Sequence, residues 1–169
     1  MGSARAAAGT LLFLVIAPGV VAGLIPWALT GWESGDVHGA LRTVIRVLGA
    51  FAIVGGVAVL LEAFARFVRE GRGTPAPVAP TERLVIGGLY RFVRNPMYLA
   101  VGATIVGQAL LLLRPILLGY AAVFSLAVVA FVRWYEEPTL ARRYGAQYEA
   151  YRCAVPGWWP RWTPWNGDV

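Results

Sequence analysis

The sequence predicts an all-α membrane protein with about four transmembrane helices, a C-terminal helical hairpin and a cytoplasmic amphipathic helix. Three observations carry that prediction. Of 169 residues, 58% are hydrophobic and 14% charged, and the mean hydropathy of +0.61 exceeds what one soluble domain of this size can bury. The apolar residues gather into long uncharged runs. The 15 basic residues, all arginine, cluster at the ends of those runs. A membrane-crossing helix needs about 20 apolar residues, so four crossings occupy about half of the chain. The composition excludes intrinsic disorder, which requires low hydrophobicity. The single cysteine, Cys153, excludes a disulfide framework and reads as a small buried residue.

The first span is placed at Gly9 to Leu29, with Trp27 and Trp32 as interfacial anchors. Arg5 ahead of an apolar run resembles a signal peptide. The run from Ala6 to Trp32 is too long for a signal core, contains Pro18 and Pro26, and ends without a small-residue cleavage site, so a retained helix is expected. A polar loop, Glu33 to His38, leads to a second span at Val44 to Phe67. Glu62, Arg66 and Glu70 follow at i, i+4 and i+8 and predict an ion-pair ladder on one helix face; substrate contact by Glu62 is the alternative.

Residues 71–80, GRGTPAPVAP, disfavour helix and predict a linker between an N-terminal pair of helices, 1–70, and a core, 81–169. Within that core, two apolar runs flank Arg114-Pro115 and predict a helical hairpin over 97–134, with Pro115 opening its second arm. The first arm, of about 17 residues, is about 26 Å long. Folding the chain at that turn brings Arg91 to Tyr98 and Arg133 to Glu137 to one membrane face. With four spans, 12 arginines share that face with both termini and 3 lie opposite. The positive-inside rule makes it the cytoplasmic face of an inner membrane. No basic soluble module stands ready for nucleic acid, so no nucleic-acid partner is expected.

Beyond the hairpin, Pro138 predicts a kink near Glu137 and a cytoplasmic helix over 138–152. Glu137, Tyr144, Tyr148 and Tyr151 then share one stripe, a pattern that suits an interfacial helix. The tail from Val155 holds four of seven tryptophans and three prolines and predicts an aromatic belt, or else a lid. Adjacent carboxylates at the end of a span, Glu136 and Glu137, are costly near membrane depth. They either pair with Arg133 or Arg94 or, together with those arginines, wall a binding site.

GLYRFVRNPMYL at residues 88–99, followed about 40 residues later by EEPTLARRYGAQYEAYRCAVP, resembles the paired signature of the isoprenylcysteine carboxyl methyltransferase and phospholipid methyltransferase superfamily. The resemblance covers about Thr81 to Arg161. It implies an integral membrane methyltransferase with S-adenosylmethionine as cofactor, held between the last membrane helices and the C-terminal segment. The family pattern R-H-P-x-Y-x-G reads here Arg94, Asn95, Pro96, Met97, Tyr98, Leu99, Ala100, departing at Asn95 and Ala100. Asn95 still hydrogen-bonds but does not titrate, and Ala100 predicts slightly looser packing. Glu136, Glu137, Leu140, Gly145, Tyr148 and Tyr151 match the second half, and Gly157 stands where arginine is common.

On that resemblance, methyl transfer is an in-line displacement that requires donor and nucleophile to be held aligned and dry; no metal is required. The cofactor's amino group calls for a carboxylate, Glu136 or Glu137, and its carboxylate for Arg94 or Arg133. Asn95 and Pro96 belong to the cofactor-positioning tripeptide. Tyr90, Tyr98 and Tyr148 are candidates to stack on adenine or cap the ribose. The only histidine, His38, falls on the opposite side. Glu137 is therefore the candidate base for an amine, unless the nucleophile is a carboxylate or thiol that ionises by itself. Arg133 is the candidate to attract an anionic head group. The expected partners are membrane lipids and a lipophilic or small membrane-permeable acceptor. The competing class is a non-enzymatic accessory or transporter-like protein of the same fold.

Overall fold

A computed structural model describes residues 16–36, 39, 41–66, 69 and 84–167. Among these every regular element is a helix, with no strand. Helix α1 is Ile16–Thr30, α2 Leu41–Arg66, α3 Pro96–Leu112, α4 Ile116–Tyr144 and α5 Ala146–Ala154. The linker 71–80, His38 and Glu70 lie outside the described residues.

Two helices, α2 with 26 residues and α4 with 29, are long and apolar enough to cross a membrane unaided, against four expected. Helices α1 and α3 are apolar but shorter, and the part of the first predicted span before Ile16 is not described. Only 17% of the most apolar window of α2, and the same share in α4, is buried within the protein. Phe51 and Leu126 are more than two-thirds exposed. Helices of a soluble core would hide such side chains; these face outward, as a lipid-facing surface does.

Packing is closest between α2 and α3, where small residues let the backbones touch. A Cβ added at Gly49 would meet the Gly107 carbonyl oxygen at 2.6 Å. About two turns along, a Cβ at Gly56 would meet the Ala100 carbonyl oxygen at 2.7 Å. The looseness expected at Ala100 is absent: it is buried, and the small residue that allows close approach sits across the seam at position 56. Leu113 in the left-handed region ends α3, and Pro115 caps α4, so the turn between them is tight. The Gly35 N–H donates to the Leu112 carbonyl and Arg114 Nε to the Glu33 carbonyl, docking the α1–α2 connection on this turn.

Prolines inside α1 and α4 do not break them. In each, a wide π turn precedes the proline: Val20–Leu24 before Pro26 and Val132–Glu136 before Pro138. Proline lacks the N–H for the i−4 carbonyl, and the wider turn absorbs the misfit. In α1 this releases two carbonyls: Gln108 Nε2 donates to Ala22 at 2.7 Å and Tyr120 Oη to Val21 at 2.8 Å. The helix expected to begin at Pro138 is instead continuous with the span before it, and the break falls at Gly145, whose φ of +53° suits glycine. The predicted helix 138–152 is two helices, and the tyrosine stripe turns a corner at Gly145. Cys153 is exposed on α5, contrary to the buried position expected of it.

Candidate functional site

The site is assembled at the end of the bundle opposite the α3–α4 turn. Gly88, at φ +55°, begins a short 3-10 turn, Gly88–Arg91, laid against α2; a Cβ there would strike the Glu62 and Arg66 side chains. Those two form the expected i, i+4 ion pair at 2.8 Å. The pre-proline residue Asn95 stays out of the helical region, as the Pro96 ring demands, and α3 starts at Pro96.

The C-terminal tail straps this loop down. The Arg94 N–H donates to the Pro156 carbonyl, Asn95 Nδ2 to Gly157, the Arg161 N–H to Phe92, and the Trp165 N–H to Arg91. Arg91 returns a bond from Nε to the Trp165 carbonyl and pairs with Asn166. Tyr151 Oη donates to the Tyr90 carbonyl at 2.7 Å and its ring meets Trp165. No described tail residue lines the cavity described next, and these bonds clamp the tail on the loop. Trp159 and Trp162 stay outside, at 82% and 99% exposure.

Between the loop, α4 and α5 lies a cavity of about 400 Å³, within the range of small-molecule sites. Its polar end gathers Tyr90, Arg94, Asn95, Pro96, Tyr98, Glu136, Glu137 and Tyr148. Its apolar wall comes from Pro18 and Val21 of α1, Leu60 and Phe64 of α2, Val101 of α3 and Phe124 of α4. Arg133 does not line it: the side chain is 66% exposed and reaches only the outer oxygen of Glu137, at 3.7 Å.

The two carboxylates differ in their partners. Glu137, 13% exposed, receives Arg94 Nη1 at 2.7 Å on one oxygen, and Arg133 and Arg152 at 3.7 and 3.8 Å on the other. Glu136 has no arginine partner among the described residues; Tyr98 Oη donates to it at 2.8 Å. Arg94 also donates to Tyr148 Oη at 3.2 Å, while its buried Nε has no hydrogen-bond partner among the described residues. A buried donor without a partner is rare. Burial pushes the Tyr90, Tyr148 and Tyr151 hydroxyls above the ordinary phenol range, with Arg94 pulling the last two partly back. All three remain protonated at neutral pH.

Sequence reasoning missed Arg152 and Arg143. Arg152 reaches Glu137 only because Gly145 turns α5 back over the site. Arg143 lines the cavity, and its position seven residues after Glu136, two turns along one helix face, was a signal that could have found it.

An end-of-span carboxylate pair beside a clamped Arg-Asn-Pro turn is the arrangement the paired motifs anticipate. Neither a curated protein nor a solved structure matches the chain. The family model described as phospholipid methyltransferase matches residues 44–147, from the first turns of α2 to the start of α5. The match covers well over half of the chain and takes in both carboxylates and the whole Arg94 turn, and the chain belongs to the phospholipid methyltransferase family.

Proposed function

We propose that the protein is an S-adenosylmethionine-dependent methyltransferase of the cytoplasmic membrane, acting on a lipophilic or small membrane-permeable acceptor. In this reading α1 to α4 all cross the bilayer, α1 and α3 as short or thinned spans, with both termini and the cavity on the cytoplasmic side. The excess of arginines at the site end supports that orientation.

The observation that carries the reading is that one cavity is lined both by Glu136, which has no arginine partner among the described residues, and by Arg94, whose guanidinium Glu137 holds in place. An amino-acid end requires such a pair: a carboxylate for its ammonium group and a guanidinium N–H for its carboxylate. The residues present therefore fit the cofactor. When bound, it would supply an electrophilic methyl group on a sulfonium. Glu136 would hold the cationic end, with Tyr98 orienting its carboxylate. Arg94, fixed by Glu137, would hold the acid. Tyr90 and Tyr148 give the polar wall aromatic faces and keep it dry.

For an amine acceptor, Glu137 is poorly placed to take the proton, because both of its oxygens are already engaged by arginines. Glu137 becomes a positioning residue for Arg94. The apolar wall suits a carboxylate, thiol or amine acceptor carried on a hydrophobic body.

Calorimetric titration of the detergent-purified chain with S-adenosylmethionine tests this. Saturable binding is expected, reduced at least tenfold in Glu136→Gln and unchanged in Glu149→Gln. A folded protein with no detectable binding would favour the accessory role instead.

A further inference from the structure

The tail carries four tryptophans, and the fold divides them. Trp165 turns inward, its ring centroid 5.4 Å from that of Tyr151, and Trp158 is half-buried. Trp159 and Trp162 turn outward and are the most exposed of the large apolar side chains among the described residues. An indole left in water is a large apolar surface unburied. The tail cannot simply roll over to hide these two. The Arg161 and Trp165 N–H groups and the Pro156 and Gly157 carbonyls are bonded to the loop, and Arg161 Nη1 ties the tail to Ala154.

Those bonds also fix the level of the tail. They reach Arg91, Phe92, Arg94 and Asn95, the residues that run directly into α3 at Pro96. Where α3 enters a bilayer, the tail therefore lies at the head-group layer. Trp134, 79% exposed near the end of the apolar run of α4, belongs to the same end of the bundle. Tryptophan favours that layer because its ring is apolar and its N–H polar. Charge agrees with this placement: residues 150–167 hold Arg152 and Arg161 and no acidic residue to repel the anionic head groups of a cytoplasmic leaflet.

We propose that the tail docks on the lipid surface of the cytoplasmic leaflet, with the Trp159 and Trp162 indoles seated among its head groups. The docking rests on the reading above only in taking α3 as a span, and needs neither the cofactor nor the reaction. Because the backbone is already clamped, docking orders little new chain. The strap then ties the loop that carries Arg94 to the membrane surface.

The test is tryptophan quenching of the full chain in nanodiscs of three parts phosphatidylcholine to one part phosphatidylglycerol, made with and without lipid brominated high on the acyl chain. Subtracting the emission of Trp159→Phe/Trp162→Phe from that of wild type isolates the two indoles, and subtracting that of Trp134→Phe isolates the α4 indole. Each variant keeps an aromatic ring at an exposed position and should melt with wild type. Brominated lipid should remove at least half of the Trp159 and Trp162 signal.

A smaller loss would overturn the proposal, and acrylamide in the water would then say what the indoles face. Strong acrylamide quenching would place them in water. Shielding from acrylamide would mean that protein covers them, a second copy of the chain or some other partner. In either failure, a Trp134 signal quenched by bromine would leave the spanning assignment intact. Trp134 unquenched together with the other two would strike that assignment and the docking at once.

Discussion

Between α2 and α3 the chain is held by absence of side chain: Gly49, Gly56 and Gly107 let two backbones meet, and nothing polar is exchanged across most of the seam. At the site end it is held by long-range polar bonds, from Tyr151 to the Tyr90 carbonyl, from Asn95 to Gly157 and from three arginines to Glu137. The first region tolerates little change in volume and much in chemistry. The second is the reverse: its shape is open, and its function depends on which atom is bonded to which. A protein surrounded by lipid gains little from burying apolar surface between its helices, so close contact carries the bundle. At the aqueous-facing end most of the polar groups it buries are hydrogen-bonded, as buried polar groups generally are.

The largest expected effect lies in the seam. Gly49→Leu would drive a side chain into the Gly107 carbonyl and should lower stability by about 3 kcal/mol or prevent assembly; thermal unfolding in detergent and folded yield report it. Normal melting would show that the helices can separate, and would remove the contrast between the two regions. At the other end, Glu137→Gln leaves Arg94, Arg133 and Arg152 facing a neutral amide and should lose about 2 kcal/mol. Glu136→Gln, with no arginine to disappoint, should melt within about 1 °C of wild type. If the two glutamates behaved alike, their division into a structural and a binding carboxylate would fail.

Smaller effects follow from single hydrogen bonds. Gln108→Leu strands the Ala22 carbonyl released by Pro26 and should lower stability by about 1 kcal/mol. The tyrosines sharpen the comparison through pH. Their folded pKa values lie above the unfolded value, so their contribution is fully present below about pH 10 and falls as pH rises beyond it. Melting temperature should be flat from pH 7 to 9 and decline above 10, less steeply in Tyr151→Phe. Smallest of all, Arg133→Gln should change stability by no more than about 0.5 kcal/mol, since its contact is long and solvated.

Much of the bundle was legible because its signals are local. Uncharged apolar runs mark α2, α3 and α4, and Arg114-Pro115 marks the turn between the last two. The paired motifs, some 40 residues apart in sequence, supply residues that line the polar end of one cavity. What local rules misread was Pro138, which looks like the start of a new helix, yet a π turn upstream carries the helix through it, as another does at Pro26 inside α1. Gly145 carried the break that Pro138 advertised. The unequal state of Glu136 and Glu137 was beyond reach for a similar reason, since it depends on which carboxylate Arg94 reaches from the loop, with Arg152 adding a longer contact from α5.

One titration decides the account's main claim. S-adenosylmethionine should bind the folded wild type saturably, lose at least tenfold in affinity in Glu136→Gln at unchanged melting temperature, and keep full affinity in Glu149→Gln. Undiminished binding in Glu136→Gln, or none in a folded wild type, would contradict it.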